Sequence, residues 1–241
     1  MKISKCLLIV FISLVTQISA QAQSFGLSFS YFIPKDGYFS TPISPFSIRG
    51  LGFDLNRYFA LEAGASLYRM SGLNMKDLPF KSKDPFAGPN FTIFVPVELV
   101  FQLKGQNLQL DLKGGAFGFA GFSQKLNYGN IDRAIRSMEG WQVANSDFTF
   151  SNKPGWGYHG GAELTVYLRP DFGISLEANY LVGESSLPLK GSYRGGGPDA
   201  ITTREVNYPD AKIDFTGMEF SIGLIFETGN SGPRKPAQRR R

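Results

Sequence analysis

Cysteine occurs once in the 241 residues, at Cys6, and histidine once, at His159. If the leader that holds Cys6 is removed, the mature chain has no thiol, which excludes both a disulfide framework and a thiolate metal site. Long apolar runs are also missing. The longest, Cys6 to Val15, is too short for a bilayer-spanning helix, which needs roughly 17 to 25 residues. Sustained helical periodicity is absent, and so is a basic face. The net charge of +5 includes Lys2 and Lys5 at the N-terminus and Arg234, Lys235, Arg239, Arg240 and Arg241 at the C-terminus; without these seven charges the body stands at −2. The main compositional argument for nucleic-acid binding therefore disappears.

What the ends do contain is directional. Lys2 and Lys5 precede the apolar run, and Ala20-Gln21-Ala22 supplies the small-x-small pattern cut by a signal peptidase. Residues 1–22 are expected to be a secretory signal peptide, 23–228 one all-β domain, and 229–241 a flexible basic tail. Cys6 stands at the start of the apolar run rather than after it, which argues against a lipoprotein signal.

Between the ends, glycine and aromatic residues are plentiful and turn signals recur. The stretch VELVFQLKGQNLQLDLKGG, Val97 to Gly115, alternates apolar and polar residues on both sides of Lys104-Gly105-Gln106-Asn107, the pattern of a β-hairpin with two unlike faces. Similar period-two runs cover Phe25 to Phe32, Phe46 to Leu55, Tyr58 to Arg69, Phe91 to Leu103, Leu108 to Phe122, Trp156 to Leu168, Phe172 to Leu181 and Gly217 to Phe226. These predict eight strands. Asn56-Arg57, Lys104 to Asn107 and Arg169-Pro170-Asp171 read as tight turns; Pro34 to Pro45, Met70 to Asn90, Ser123 to Gly155 and Val182 to Thr216 read as long loops. Short turns would thus gather at one end and long loops at the other, the habit of outer-membrane barrels.

The two faces agree with that habit. Phe59, Leu61, Ala63, Ala65 and Leu67 oppose Glu62, Gly64 and Ser66, and Met218, Phe220, Ile222, Leu224 and Phe226 oppose Glu219, Ser221 and Gly223. A membrane barrel turns large apolar residues outward and small or mutually paired polar residues into a narrow lumen. Tyr58, Phe59, Phe101, Tyr167 and Phe172 near the short turns, with Tyr31, Phe32, Trp156 and Tyr180 towards the loops, fit two interfacial girdles, although aromatics favour any strand. Gly50 to Phe53 and Gly114 to Phe119 interrupt the alternation, which predicts bulges or kinks there.

On these features the chain resembles the eight-stranded outer-membrane β-barrel family of the OmpA/OmpX type over nearly all of its mature length. The resemblance implies an antiparallel up-and-down transmembrane β-barrel in the cell outer membrane, with periplasmic termini and extracellular loops. It also implies that the last strand, MEFSIGLIF, acts as the assembly signal, with Ser221, Gly223 and Phe226 at its polar, glycine and final aromatic positions. Outer-membrane lipids and the barrel-assembly machinery are the partners it implies, with an extracellular surface ligand as a further candidate. A monomer is expected, and no cofactor. Only a basic tail follows the barrel, so no peptidoglycan-binding domain is expected.

Some such barrels are acyl-transfer or deacylation enzymes, whose chemistry needs an activated serine and a histidine base. His159 falls on an inward face but is followed by Gly160 and Gly161, without the serine two residues on that the deacylase pattern requires; it reads better as a hydrogen-bonded lumen residue. Non-catalytic function is the expectation. No metal-ligand spacing is visible among carboxylates on separate strands.

The inward Glu62, Glu98, Asp111, Glu163, Glu177 and Glu219 fall at similar heights, with Arg49 and Lys113, and predict one polar belt. As a plug, such a belt pairs its own charges because an unpaired buried charge is costly. As an open ring it would make a narrow cation-preferring pore. In a lipocalin-like lipid carrier the apolar face would instead turn inward. In the loops, NIDRAIRSMEGW places Ile131, Ile135 and Met138 on one face of a short helix with Asn130 as its N-cap, either covering the barrel mouth or packing on its own loop. SYRGGGPDAITTREV suggests an outward hairpin around Gly195 to Asp199.

Overall fold

Period-two alternation becomes structure when each strand buries one parity and pairs its backbone on both edges. The chain is described by a computed structural model covering residues 24–198 and 200–227; the expected signal peptide, the basic tail and Asp199 lie outside the described residues. In chain order the elements are β1 (Ser24–Pro34), β2 (Gly37–Asp54), β3 (Phe59–Leu73), β4 (Met75–Lys76), β5 (Asn90–Lys104), β6 (Leu108–Phe122) and helix α1 (Tyr128–Glu139). They continue as β7 (Val143–Phe150), β8 (Gly155–Arg169), β9 (Phe172–Ser186), β10 (Leu189–Gly196), β11 (Ile201–Tyr208), β12 (Lys212–Asp214) and β13 (Gly217–Glu227).

Eight of these strands form the barrel. β1, β2, β3, β5, β6, β8, β9 and β13 pair antiparallel with their chain neighbours, and β13 closes the ring by pairing with β9 on one side and β1 on the other, from Ser24↔Glu227 to Pro34↔Gly217. All eight predicted strands are present. The short turns are chemically explicit: Asn56 Oδ1 accepts the amides of Tyr58 at 2.8 Å and Phe59 at 3.0 Å, and Gly105 N–H donates to Leu108 O at 2.7 Å.

The apolar parity faces out. Leu27, Phe29, Leu61, Ile93, Val97, Leu99, Leu112, Leu164, Leu176, Ile222 and Leu224 are all exposed, whereas the alternate residues are buried. So wide an apolar belt is not a water-facing surface; the strands are those of a transmembrane β-barrel. This is the reverse of a lipocalin-like carrier, which would need the apolar parity inside. Aromatic girdles flank the belt. Phe226 sits between Phe25 and Phe172 with ring centres 5.1 and 5.5 Å away, Phe59 meets Phe101 at 5.3 Å, and Trp156 at the loop end is 75% exposed.

Several local expectations are corrected. Pro34 to Pro45 is not a long loop: β1 turns into β2 through Lys35 and Asp36 alone, because β2 extends alongside β3 as far as Gly37↔Leu73. The bulge predicted near Gly50 is real, with a register shift between Ile48 and Leu51 and a left-handed φ of 65° at Gly50, a conformation that a side chain would strain. Around Gly114 to Phe119 there is no bulge. β6 keeps continuous register with β5 and β8, and the alternation only looked broken because Phe117 and Phe119 point inward. Phe32 and Tyr167, assigned to the girdles by sequence, also point inward, Phe32 into the core and Tyr167 to hydroxyl contacts with Gln109 and Glu227.

Above the barrel the remaining loops fold into a cap. β7, β10 and β11 make a separate three-stranded sheet, so the predicted outward hairpin exists but does not prolong the barrel wall. α1 packs beneath it with Ile131 and Ile135 fully buried, among a cluster that includes Phe80, Phe86, Phe148, Leu187 and Leu189. Its N-cap is Asn127, not Asn130; Asn130 is buried and donates its side-chain amide to Pro85 O at 2.8 Å. Met138, on the far side, is exposed. The helix therefore packs against residues of the other long loops within the cap, not on its own loop alone.

Candidate functional site

The interior is built by side chains that share the inward parity, and it divides into three tiers. Furthest from the short turns is an apolar tier. Phe32, Phe94, Phe117 and Phe119 converge from the barrel wall on Phe215, which stacks on Phe119 at 4.4 Å and on Phe32 at 4.5 Å, and Tyr68 packs behind Phe32 and Phe94. Phe215 follows β12 and is held on both flanks: its N–H donates to Gly183 O at 2.9 Å, and Thr216 O accepts Lys35 N–H at 2.8 Å. These rings are continuous with the cap core, so the barrel mouth is filled by packed aromatics rather than by loose loops.

The middle tier carries the charges. All nine residues of the predicted belt, Arg49, Glu62, Glu98, Asp111, Lys113, His159, Glu163, Glu177 and Glu219, are buried in the lumen. They do not form a single ring. Lys113 Nζ lies 2.5 Å from Glu163, 3.4 Å from Glu177 and 3.8 Å from both Glu62 and Glu98. Arg49 pairs with Glu219 at 2.5 Å, and Glu219 also accepts the Tyr68 hydroxyl and the Asn179 side-chain amide. Asn179 Nδ2 donates to Glu177 at 3.0 Å as well, which joins the lysine and arginine groups into one network.

Register explains how one lysine serves four acids. Lys113 pairs across β6 and β8 with Gly161, where a Cβ would clash with Asn179 Oδ1 and Ala178 O, so glycine lets β9 approach and brings Asn179 and Glu177 in beside Glu163. Asp111, Glu163 and Glu177 are direct cross-strand neighbours, as are Glu62 and Glu98, so like charges oppose each other around the wall. His159 Nε2 lies 3.7 Å from Glu98, and its ring centre is 6.1 Å from that of Phe117. Neither ring nitrogen has a hydrogen-bond partner among the described residues, which corrects the expectation of a hydrogen-bonded lumen histidine.

Nearest the short turns is a polar vestibule. Gln109 Nε2 donates to Asp111 at 2.8 and 3.0 Å, and the Tyr167 hydroxyl donates to Glu227 at 2.6 Å with Gln109 Oε1 3.3 Å away. Gln102 and Gln109 lie on the polar face that the sequence predicts for the Val97 to Gly115 hairpin but were not counted in the belt, and sequence reading missed Tyr68, Asn179 and Tyr167 as lumen residues, although all share the inward parity. Phe215 had no such signal, because it lies in a loop. Of the terminal-strand positions, Ser221 points inward with its Oγ 2.6 Å from Ser30 Oγ, Gly223 pairs with Ser28 and Ser175, and Phe226 lies outside in the aromatic girdle.

No family model matches the chain, and no curated protein sequence matches it. Among solved structures, the fold is similar to the outer membrane protein OprG from Pseudomonas aeruginosa, with a TM-score of 0.53 and 12% identity over 86% of this chain and 96% of that one. Weaker similarity extends to Ail, the attachment invasion locus protein of Yersinia pestis, with a TM-score of 0.37 and 12% identity over 84% and 94% of the two chains. A major outer membrane protein from Thermus thermophilus gives a TM-score of 0.42 and 10% identity over 84% and 98%. At such identity the likeness to OprG is one of fold: this chain is a closed eight-stranded antiparallel barrel of the outer-membrane architecture.

Proposed function

We propose that this protein is an integral outer-membrane barrel with a plugged lumen, presenting its folded cap outside the cell as a surface for adhesion or another surface interaction. The observation that carries this reading is the aromatic tier around Phe215. A pore needs a water-connected path, and here packed rings join the barrel mouth to the cap core. The polar tiers below then act as the barrel's interior packing, with charges paired because a narrow lumen gives them little water. Outer-membrane location is supported by the apolar exterior and by the likeness to OprG, an outer membrane protein. Termini in the periplasm and the cap outside follow the usual barrel orientation, with lipids and the assembly machinery as partners and the monomer as the working unit. No catalytic pair is proposed.

Two measurements test the reading. Planar-bilayer recordings of the wild type should be nearly silent; steady cation-selective conductance would replace the plugged barrel with the pore. Cys6 is the only cysteine, so Asn145→Cys on the cap sheet provides a unique thiol once the leader is removed. It should react with a membrane-impermeant maleimide on intact cells. Reaction only after permeabilisation would invert the orientation.

A further inference from the structure

The apolar exterior is not evenly filled. Ala162 on β8 and Ala178 on β9 stand directly opposite each other on the outer face, and the larger side chains of Leu164, Leu176 and Phe220 beside them leave a groove of about 430 Å³. Glu163, Glu177 and Ser221 also border it, with side chains that turn into the lumen. Towards the short turns, one outward row, Val166, Ile174 and Leu224, separates this groove from a second of about 480 Å³ at the foot of the same strands. Leu168, Phe172 and Phe226 form the apolar side of the foot, and Arg169 and Asp171, from the turn between β8 and β9, form its charged side. Both charged residues are exposed, and neither side chain is ion-paired among the described residues.

We propose that this face binds one molecule of phosphatidylethanolamine, with its phosphate at Arg169, its ammonium at Asp171 and one acyl chain laid up the wall into the groove at Ala162 and Ala178. The charges select the headgroup. A guanidinium fork matches a phosphate, and a carboxylate accepts N–H donors from a primary ammonium. Phosphatidylcholine has no N–H to give Asp171, and phosphatidylglycerol brings that carboxylate a second negative charge without an ammonium. The length selects the chain. Phe172 to Ala178 spans about 20 Å along β9 at about 3.4 Å per residue. At the usual barrel tilt of about 40° this becomes about 15 Å of depth, half of a roughly 30 Å hydrocarbon core, so a chain of one leaflet ends at the alanines. In hydrocarbon no water fills such a groove, and close packing against its floor favours a chain held there. The site rests on the membrane placement of this wall, and not on what the cap contacts or which side it faces.

The test is native mass spectrometry of the refolded mature protein, released from detergent micelles that hold equal amounts of dipalmitoyl phosphatidylethanolamine, phosphatidylcholine and phosphatidylglycerol. One phosphatidylethanolamine should be retained in preference to the other two. Arg169→Gln should lower its retention about two- to fivefold, the scale of an exposed charge pair, and Asp171→Asn should erase the preference among headgroups. Ala178→Leu fills the groove and should lower retention several-fold, whereas Ala65→Leu, on the outer face of β3, should leave it unchanged. Ala162→Val reads the same groove if Ala178→Leu does not fold. Wild type that stays soluble without detergent would overturn the membrane placement and this site with it. A detergent-dependent barrel that retains no lipid, that holds the three headgroups equally, or whose folded groove variants retain lipid like wild type, would overturn the site alone.

Discussion

Lys113 Nζ and the Glu163 carboxylate meet at 2.5 Å in the middle of the lumen, on adjacent strands and both buried. This pair anchors the network, because the same ammonium faces Glu62, Glu98 and Glu177. Lys113→Met should therefore destabilise the barrel by roughly 3 to 5 kcal/mol, the usual cost of stripping a partner from a buried ion pair. Adding Glu163→Gln should recover part of that loss. Guanidinium unfolding in micelles reads both, and a neutral single variant would show that water already satisfies these acids.

Phe215→Ala should cost roughly 3 to 5 kcal/mol, the range for removing a buried aromatic ring, since its neighbours are held by separate strands and cannot close the gap. It should also open the loop end. Brief current steps are expected in bilayers where the wild type shows none, and continued silence would mean that the polar network alone seals the lumen.

The exterior assignment is tested by Leu164→Arg. Leu164 projects from β8 into the apolar belt, and an arginine there should cost roughly 2 to 4 kcal/mol or block insertion. Stability equal to wild type would place this face away from the hydrocarbon.

Phe226 closes the terminal strand between Phe25 and Phe172. Phe226→Asp should reduce assembly in cells, while deletion of Pro233 to Arg241 should preserve it. The opposite pair of outcomes, read as heat-modifiable barrel in isolated membranes, would move the assembly signal into the tail.

In the cap, the Tyr193 hydroxyl donates to Glu139 at 2.7 Å, Arg204 pairs with Glu139 at 2.9 Å, and Arg204 lies over the Trp141 ring at 5.8 Å. Burial, then the Glu139 carboxylate, pushes the Tyr193 phenol up to about 12 from the ordinary value of 10.0. A raised pKa favours the neutral phenol in the folded state, so its contribution is whole below pH 10, declines above it, and is lost as pH passes about 12. Tyrosinate absorbance should rise later for Tyr193 than for exposed tyrosines, and the wild-type minus Tyr193→Phe difference reads it. Glu139→Gln should bring the transition down.

The barrel was legible because β parity is a local code. The outward Val97 and Leu99 alternate with the inward Glu98 along β5, and the sign of each face survives any choice of partner strand. The bulge at Gly50 was legible for the same reason, since the alternation slips there. Around Phe117 the code misled: an aromatic on the inward face looks like a shift of parity unless one knows what fills the mouth.

Sequence alone determined the strands, their inward acids and the apolar exterior, because backbone geometry gives alternating residues opposite faces. Only the tertiary structure decided which charges meet. Lys113 reaches four carboxylates because the registers of β3, β5, β8 and β9 bring Glu62, Glu98, Glu163 and Glu177 to its height, and Phe215 fills the mouth because contacts at Gly183 and Lys35 turn a loop residue inward. Both depend on where distant strands align, which no single strand encodes.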